Sequence, residues 1–114
     1  MRQLILSGLF LAGVFHGAAE NVKTTKLNFS EHIAPIVFNN CTTCHRKGEA
    51  TPFAFMNYND VRKRGRLIAK VTESKFMPPW HAESSDYKFQ GERGLTDRQI
   101  SMLGDWVKNG MPEG

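Results

Sequence analysis

Residues Cys41-Thr42-Thr43-Cys44-His45 hold the only two cysteines of the chain, separated by two residues and followed directly by a histidine. Thiols at that spacing can add to the two vinyl groups of a single haem, and the adjoining imidazole is then held where it can bind the iron. The thiol inventory allows one such attachment and no more. A covalently held haem c dominates the folding of a small chain, because it gives the side chains one large, flat, apolar body to pack around.

Cys-x-x-Cys also occurs in thioredoxin-like redox sites and as half of a zinc site. A thioredoxin site belongs to a βαβ pattern, which the chain lacks. A zinc site needs four ligands, and there is no second cysteine pair. His32 and His81 are available as ligands, but their spacing follows no familiar zinc pattern. Haem attachment is therefore the reading carried forward.

The N-terminus reads as an export signal over residues 1–19. Arg2 supplies the positive start. Residues 4–15 are apolar apart from Ser7, Gly8 and Gly13, and Gly17-Ala18-Ala19 offers a cleavage site before Glu20. The other reading is an uncleaved anchor or a buried helix, but the apolar stretch is shorter than the roughly 20 residues a span needs. No cysteine follows it to carry a lipid. Cleavage of 19 of the 114 residues leaves 95, with 14 basic and 11 acidic side chains and no stable membrane span. Export places the protein in the bacterial periplasm or outside the cell, where haem c is attached.

Residues 20–28 read as a polar leader, and residues 29–114 as one domain. Ser30 is placed to cap a first helix to about Asn40, with Ile33, Ile36 and Val37 on one face. Pro35 suits a first turn only, which moves the expected start a few residues later. Asn59 is placed to cap a second helix over residues 60–72, with Val61, Leu67, Ile68 and Val71 apolar and Gly65 as a weak point. Residues 74–95 contain Pro78, Pro79, Gly91 and Gly94 and read as irregular. Thr96-Asp97-Arg98-Gln99 is a capping box. It opens a last helix with Ile100, Leu103 and Val107 in a stripe beside Trp106, ended by Gly110 and Pro112. The expected fold is all-α with long loops.

A six-coordinate iron needs a ligand opposite His45. Met77 is the first candidate, because Pro78 and Pro79 stiffen the backbone directly after it. A thioether ligand raises the potential. His81 is the rival, giving a bis-His, low-potential haem. An open position is the third option. Met56 is too close to His45 in sequence, and Met102 and Met111 read as packing residues.

Asn40-Cys41-x-x-Cys44-His45 after a short helix, with Met77 ahead of a loop and a final helix ending Asp105-Trp106-Val107-Lys108-Asn109-Gly110, resembles the class I c-type cytochromes. The string Phe76-Met77-Pro78-Pro79-Trp80-His81 resembles small cytochrome domains of exported bacterial proteins, some of them fused to copper-dependent monooxygenase domains. The resemblance covers about residues 29–114. It implies at least three helices around one haem, with the first and last helices meeting through Ile36, Val37, Trp106 and Val107. It also implies a proline carbonyl, here Pro52, accepting the proximal imidazole's proton, with Trp80 and Trp106 in the haem pocket.

The function that follows is one-electron transfer by a His45/Met77 haem, as a free carrier or as the electron-delivery domain of a larger oxidoreductase, with no catalytic acid or base. The alternatives are a peroxidase-like enzyme with an open iron position or a bis-His cytochrome. Expected partners are redox proteins, with an acidic surface if the basic run Arg62, Lys63, Arg64 and Arg66 steers docking. That run can also pair with haem propionates, or form a solvated helix face. No nucleic-acid reader motif is present.

Overall fold

The computed structural model describes residues 26–80 and 86–114. Residues 1–19, read above as an export signal, and His81 lie outside the described residues. The described residues are helical, with no strand among them.

The first element begins earlier than Ser30. Asn28 is extended and its side chain accepts from the Glu31 N–H at 2.9 Å, so Asn28 is the cap. The turn Phe29–Ile33 is π-helical, with the Ala34 N–H donating to the Phe29 carbonyl, and α1 follows over Ala34–Asn40. Pro35 has no N–H, and its ring clashes with the carbonyl four residues back. The wider π turn ahead of it relieves that clash. Ser30 instead donates its hydroxyl to the Glu113 carbonyl at 2.9 Å.

The expected second helix is two helices, α2 over Tyr58–Lys63 and α3 over Gly65–Glu73. Asn57 caps α2 by accepting from the Asp60 N–H at 3.0 Å; Asn59 does not. The break falls at Arg64, which has φ −118° and ψ 10°. Gly65 is the reason α3 can lie close to the last helix. A Cβ there would stand 2.5 Å from the Met111 sulfur and 3.4 Å from the Trp106 ring.

The last helix, α4, runs over Asp97–Lys108 and carries the expected capping box, with Thr96 and Gln99 bonded reciprocally. Gly110 at φ +82° ends it. Leu103 and Trp106 are its buried residues, with Ile100 and Val107 half-buried beside them.

One core unites these elements. Ile33, Ile36, Val37, Phe55, Val61, Ile68, Leu103 and Trp106 form one buried cluster, and Val107 packs against it. Phe29 packs its ring against Trp106 at 6.0 Å and Tyr58 at 5.4 Å. The C-terminal tail is clasped over this core. The Pro112 carbonyl accepts from the Phe29 N–H and the Trp106 indole, each at 2.9 Å. The Met111 carbonyl accepts from the Tyr58 hydroxyl at 2.8 Å. No helix among the described residues is long and apolar enough to cross a membrane.

Candidate functional site

The cysteine–histidine motif is the continuation of α1. The Cys41 N–H donates to the Val37 carbonyl at 2.8 Å. The Cys41 carbonyl then accepts from the Cys44 N–H at 3.2 Å and the His45 N–H at 2.8 Å. Those bonds coil the motif into one helical turn. Residues at i, i+3 and i+4 of a helical turn are neighbours on one side of it, which is the relation of Cys41, Cys44 and His45. Asn40 and Thr42 turn their side chains back onto the Ile36 and Phe38 carbonyls, at 2.7 and 2.6 Å, satisfying the end of α1.

His45 is held on three sides by the loop that follows. Its Nδ1 lies 3.2 Å from the Phe53 carbonyl. A carbonyl can only accept, so Nδ1 carries a proton, and in the neutral ring Nε2 keeps its lone pair for a metal. The Phe53 ring stacks on the imidazole at 5.1 Å and 17°, and the Phe55 ring lies at 4.7 Å. The acceptor expected at Pro52 is thus the next residue's carbonyl, and Pro52 itself is exposed. The register is set by bonds across the loop. The Phe55 N–H donates to the His45 carbonyl at 2.9 Å, and the Thr51 hydroxyl to the Cys44 carbonyl at 2.8 Å. Sequence reasoning missed Thr51, Phe53 and Phe55. The aromatic alternation Phe53-Ala54-Phe55, so close after His45, was the available signal.

The thiols are half-buried and not joined to each other. Burial pushes the Cys41 thiol up to about 11. A thiol held protonated is a weak nucleophile and must lose its proton to bind zinc. Among the described residues, no group of three or more His, Cys, Asp or Glu side chains is placed to hold an ion. His32 lies at the other end of the first element, its Nδ1 3.3 Å from the Asn28 side chain.

Met77 is positioned by the end of α3. Lys75 adopts φ +55°, and the N–H groups of Phe76 and Met77 both donate to the Val71 carbonyl, at 2.9 and 3.0 Å. The Met77–Pro78 peptide is cis. Met77 lines a narrow crevice with Thr72, Pro78, Trp80, Leu95 and Ile100. Met56, the nearer methionine, is 54% exposed and serves the α2 start, where its N–H donates to Asp60.

The tryptophans differ in what their N–H groups do. Trp106 is 1% exposed and bonded to Pro112, so it is a core residue. The Trp80 indole nitrogen is buried with no partner among the described residues. A buried donor without an acceptor is costly, and such groups are rare. The Phe89 ring, 37% exposed, lies 6.1 Å from the Trp80 ring, and Tyr87, 62% exposed, lies 4.8 Å from Phe89. The chain around Trp80 therefore combines partly exposed aromatic rings with one buried, unsatisfied donor. A haem with propionates offers an apolar face and carboxylate acceptors, so the residues present fit that group.

The break between α2 and α3 gathers Arg62, Lys63, Arg64 and Arg66 around an open depression of about 550 Å3, with Leu67 and Met111. Leu67, one of the apolar positions of the expected second helix, is 48% exposed there, while Val61 and Ile68 take the buried positions. None of the four cations forms an ion pair among the described residues. Arg62 lies 5.9 Å over the Tyr58 ring and Arg64 4.3 Å over the Phe53 ring. Comparison with known proteins adds no identity: no family model, no curated protein and no solved structure matches the chain.

Proposed function

We propose that this chain is a monohaem electron carrier, or the electron-delivery domain of a larger oxidoreductase, of the class I cytochrome c kind and exported from a bacterial cell. The observation that carries this reading is the state of His45. Its Nδ1 proton is committed to the Phe53 carbonyl, so Nε2 is free to ligate, in the same turn as two unpaired thiols. Cys41 and Cys44 would carry the haem as thioethers, and His45 and Met77 would bind its iron. The haem supplies a one-electron change at iron when bound. The chain's own part is to orient the imidazole through Phe53 and to hold Met77 at the end of α3. The Trp80 N–H would donate to a propionate.

The test is the mass and extraction behaviour of the protein purified from its exporting host. The mature chain should begin at Glu20 and carry the mass of one haem that acid–acetone does not remove. The double change Cys41→Ser and Cys44→Ser should release all of it. Mature protein with zinc or a Cys41–Cys44 disulfide in place of haem refutes the reading.

The partner in this reading is a redox protein with an acidic patch, met through the cations at the α2–α3 break. Brief encounters of this kind use small interfaces, and complementary charge mainly raises the on-rate. The electron-transfer rate should fall as salt rises, since the Debye length shrinks from about 10 Å at 0.1 M to about 3 Å at 1 M. Changing Arg62 and Lys63 to Glu should slow the reaction several-fold at low salt and flatten that dependence, with the haem spectrum unchanged. A salt-independent rate in the unaltered protein makes the basic run a solvated face.

A further inference from the structure

The four cations at the α2–α3 break are not equivalent. Arg62, Lys63 and Arg66 are exposed, while Arg64 is half-buried. The break explains the difference. At φ −118° and ψ 10°, Arg64 leaves the helical path and closes α2 while opening α3. Its guanidinium lies 4.3 Å over the Phe53 ring, well inside the range of about 6 Å for cation–π attraction. The other face of this contact chain is His45, stacked on Phe53 at 5.1 Å and 17°. The same Phe53 accepts the His45 Nδ1 proton through its carbonyl. One residue thus orients the imidazole twice, by ring and by carbonyl, and one cation holds that residue.

We propose that Arg64 is a positioning residue for the iron-ligating imidazole and that its fixed charge raises the potential of the haem. This rests on the haem reading above. The guanidinium keeps its charge at every pH of interest. It lies no farther from the imidazole than the two ring contacts laid end to end, inside the Debye length of about 10 Å at 0.1 M. Oxidation of the iron adds a positive charge, which a nearby cation opposes, so the reduced form gains. The charged pair on the same loop, Arg46 and Glu49, is closed on itself at 2.9 Å and largely cancels. Arg62 reaches only Tyr58, at 5.9 Å, and Tyr58 does not touch His45 among the described ring contacts. It is the matched control.

The experiment is a spectroelectrochemical titration of the holoprotein at low and high salt. Arg64→Met should shift the reduction equilibrium toward the oxidised form by about three- to tenfold, roughly 30–60 mV at about 59 mV per tenfold for one electron. The shift should shrink at high salt. Arg64→Lys, which keeps the charge but not the planar stack, should show less than half of that shift while loosening the imidazole, seen as broadened His45 ring resonances. Arg62→Met should move the equilibrium by less than twofold. Arg64→Gln carries the same test if the methionine variant does not fold. Equal shifts for Arg62→Met and Arg64→Met, or no shift for Arg64→Met and Arg64→Gln, overturn the proposal while the haem reading stands. Unaltered protein without covalent haem overturns both.

Discussion

Met77→Ala should abolish the weak far-red sulfur-to-iron band and lower the midpoint potential by on the order of 0.1–0.3 V, within the roughly 0.8 V range that axial ligands span. The reason is the thioether's preference for ferrous iron. The change also removes packing in the crevice that Met77 shares with Thr72, Leu95 and Ile100, but it leaves the backbone in place. Phe76 and Met77 are held through their backbone N–H groups on the Val71 carbonyl, which alanine at position 77 leaves in place. The reduced variant should also bind carbon monoxide rapidly at the opened position. His81→Ala should leave the far-red band as it was. A silent Met77→Ala beside a His81→Ala that alters the spectrum would assign the iron to His81 and make this a bis-His cytochrome. Carbon monoxide binding by the unaltered reduced protein would instead support the open-site enzyme.

The second large effect is on stability. Trp106→Ala should cost about 3–5 kcal/mol, as expected for removing a fully buried aromatic side chain. Trp106 is 1% exposed, shares the core with Phe29 and Leu103, and lies against the place where α3 meets α4 at Gly65. It also donates to the Pro112 carbonyl at 2.9 Å. A domain of this size has a total stability of roughly 5–15 kcal/mol, so the variant would sit at the edge of folding. Trp106→Phe keeps most of the volume and should cost about 1–3 kcal/mol, including a net hydrogen-bond loss of about 1 kcal/mol. Denaturant unfolding of the holoprotein measures both. An alanine variant within 1 kcal/mol of the parent would show that the core does not depend on this ring.

Elements defined within a few residues were readable in advance. The Thr96–Gln99 box needs only one turn of chain, and it forms as expected. Gly110 ends α4 for an equally local reason, its positive φ. The first two caps were displaced by two residues each, from Ser30 to Asn28 and from Asn59 to Asn57. Both true caps are asparagines in extended backbone, chemically as good as those expected. What separates them is outside the local string. Ser30 is drawn to the Glu113 carbonyl, 83 residues away, a pairing no window of sequence contains. The break at Arg64 has the same origin. Gly65 was legible as a weak helix former, but the close approach of Met111 and Trp106 that requires it was not.

The candidate site divides in the same way. Cys41, Cys44 and His45 lie within five residues, so the proposal made for them rests on residue types and spacing, and the turn that gathers them is equally local. The placement of Met77 after α3 was also anticipated, because prolines act on the backbone beside them. The partner of the His45 proton was not. Choosing Phe53 over Pro52 depends on loop register, which is set by the Phe55–His45 and Thr51–Cys44 bonds. Nor did composition separate Arg64 from its basic neighbours, since a helix break and a ring from another loop make the distinction. Covalent motifs and caps are short-range chemistry and travel with the string of residues. Loop register, helix breaks and stacked rings arise from groups distant in sequence that compete for the same space, and they exist only once the chain has closed on itself.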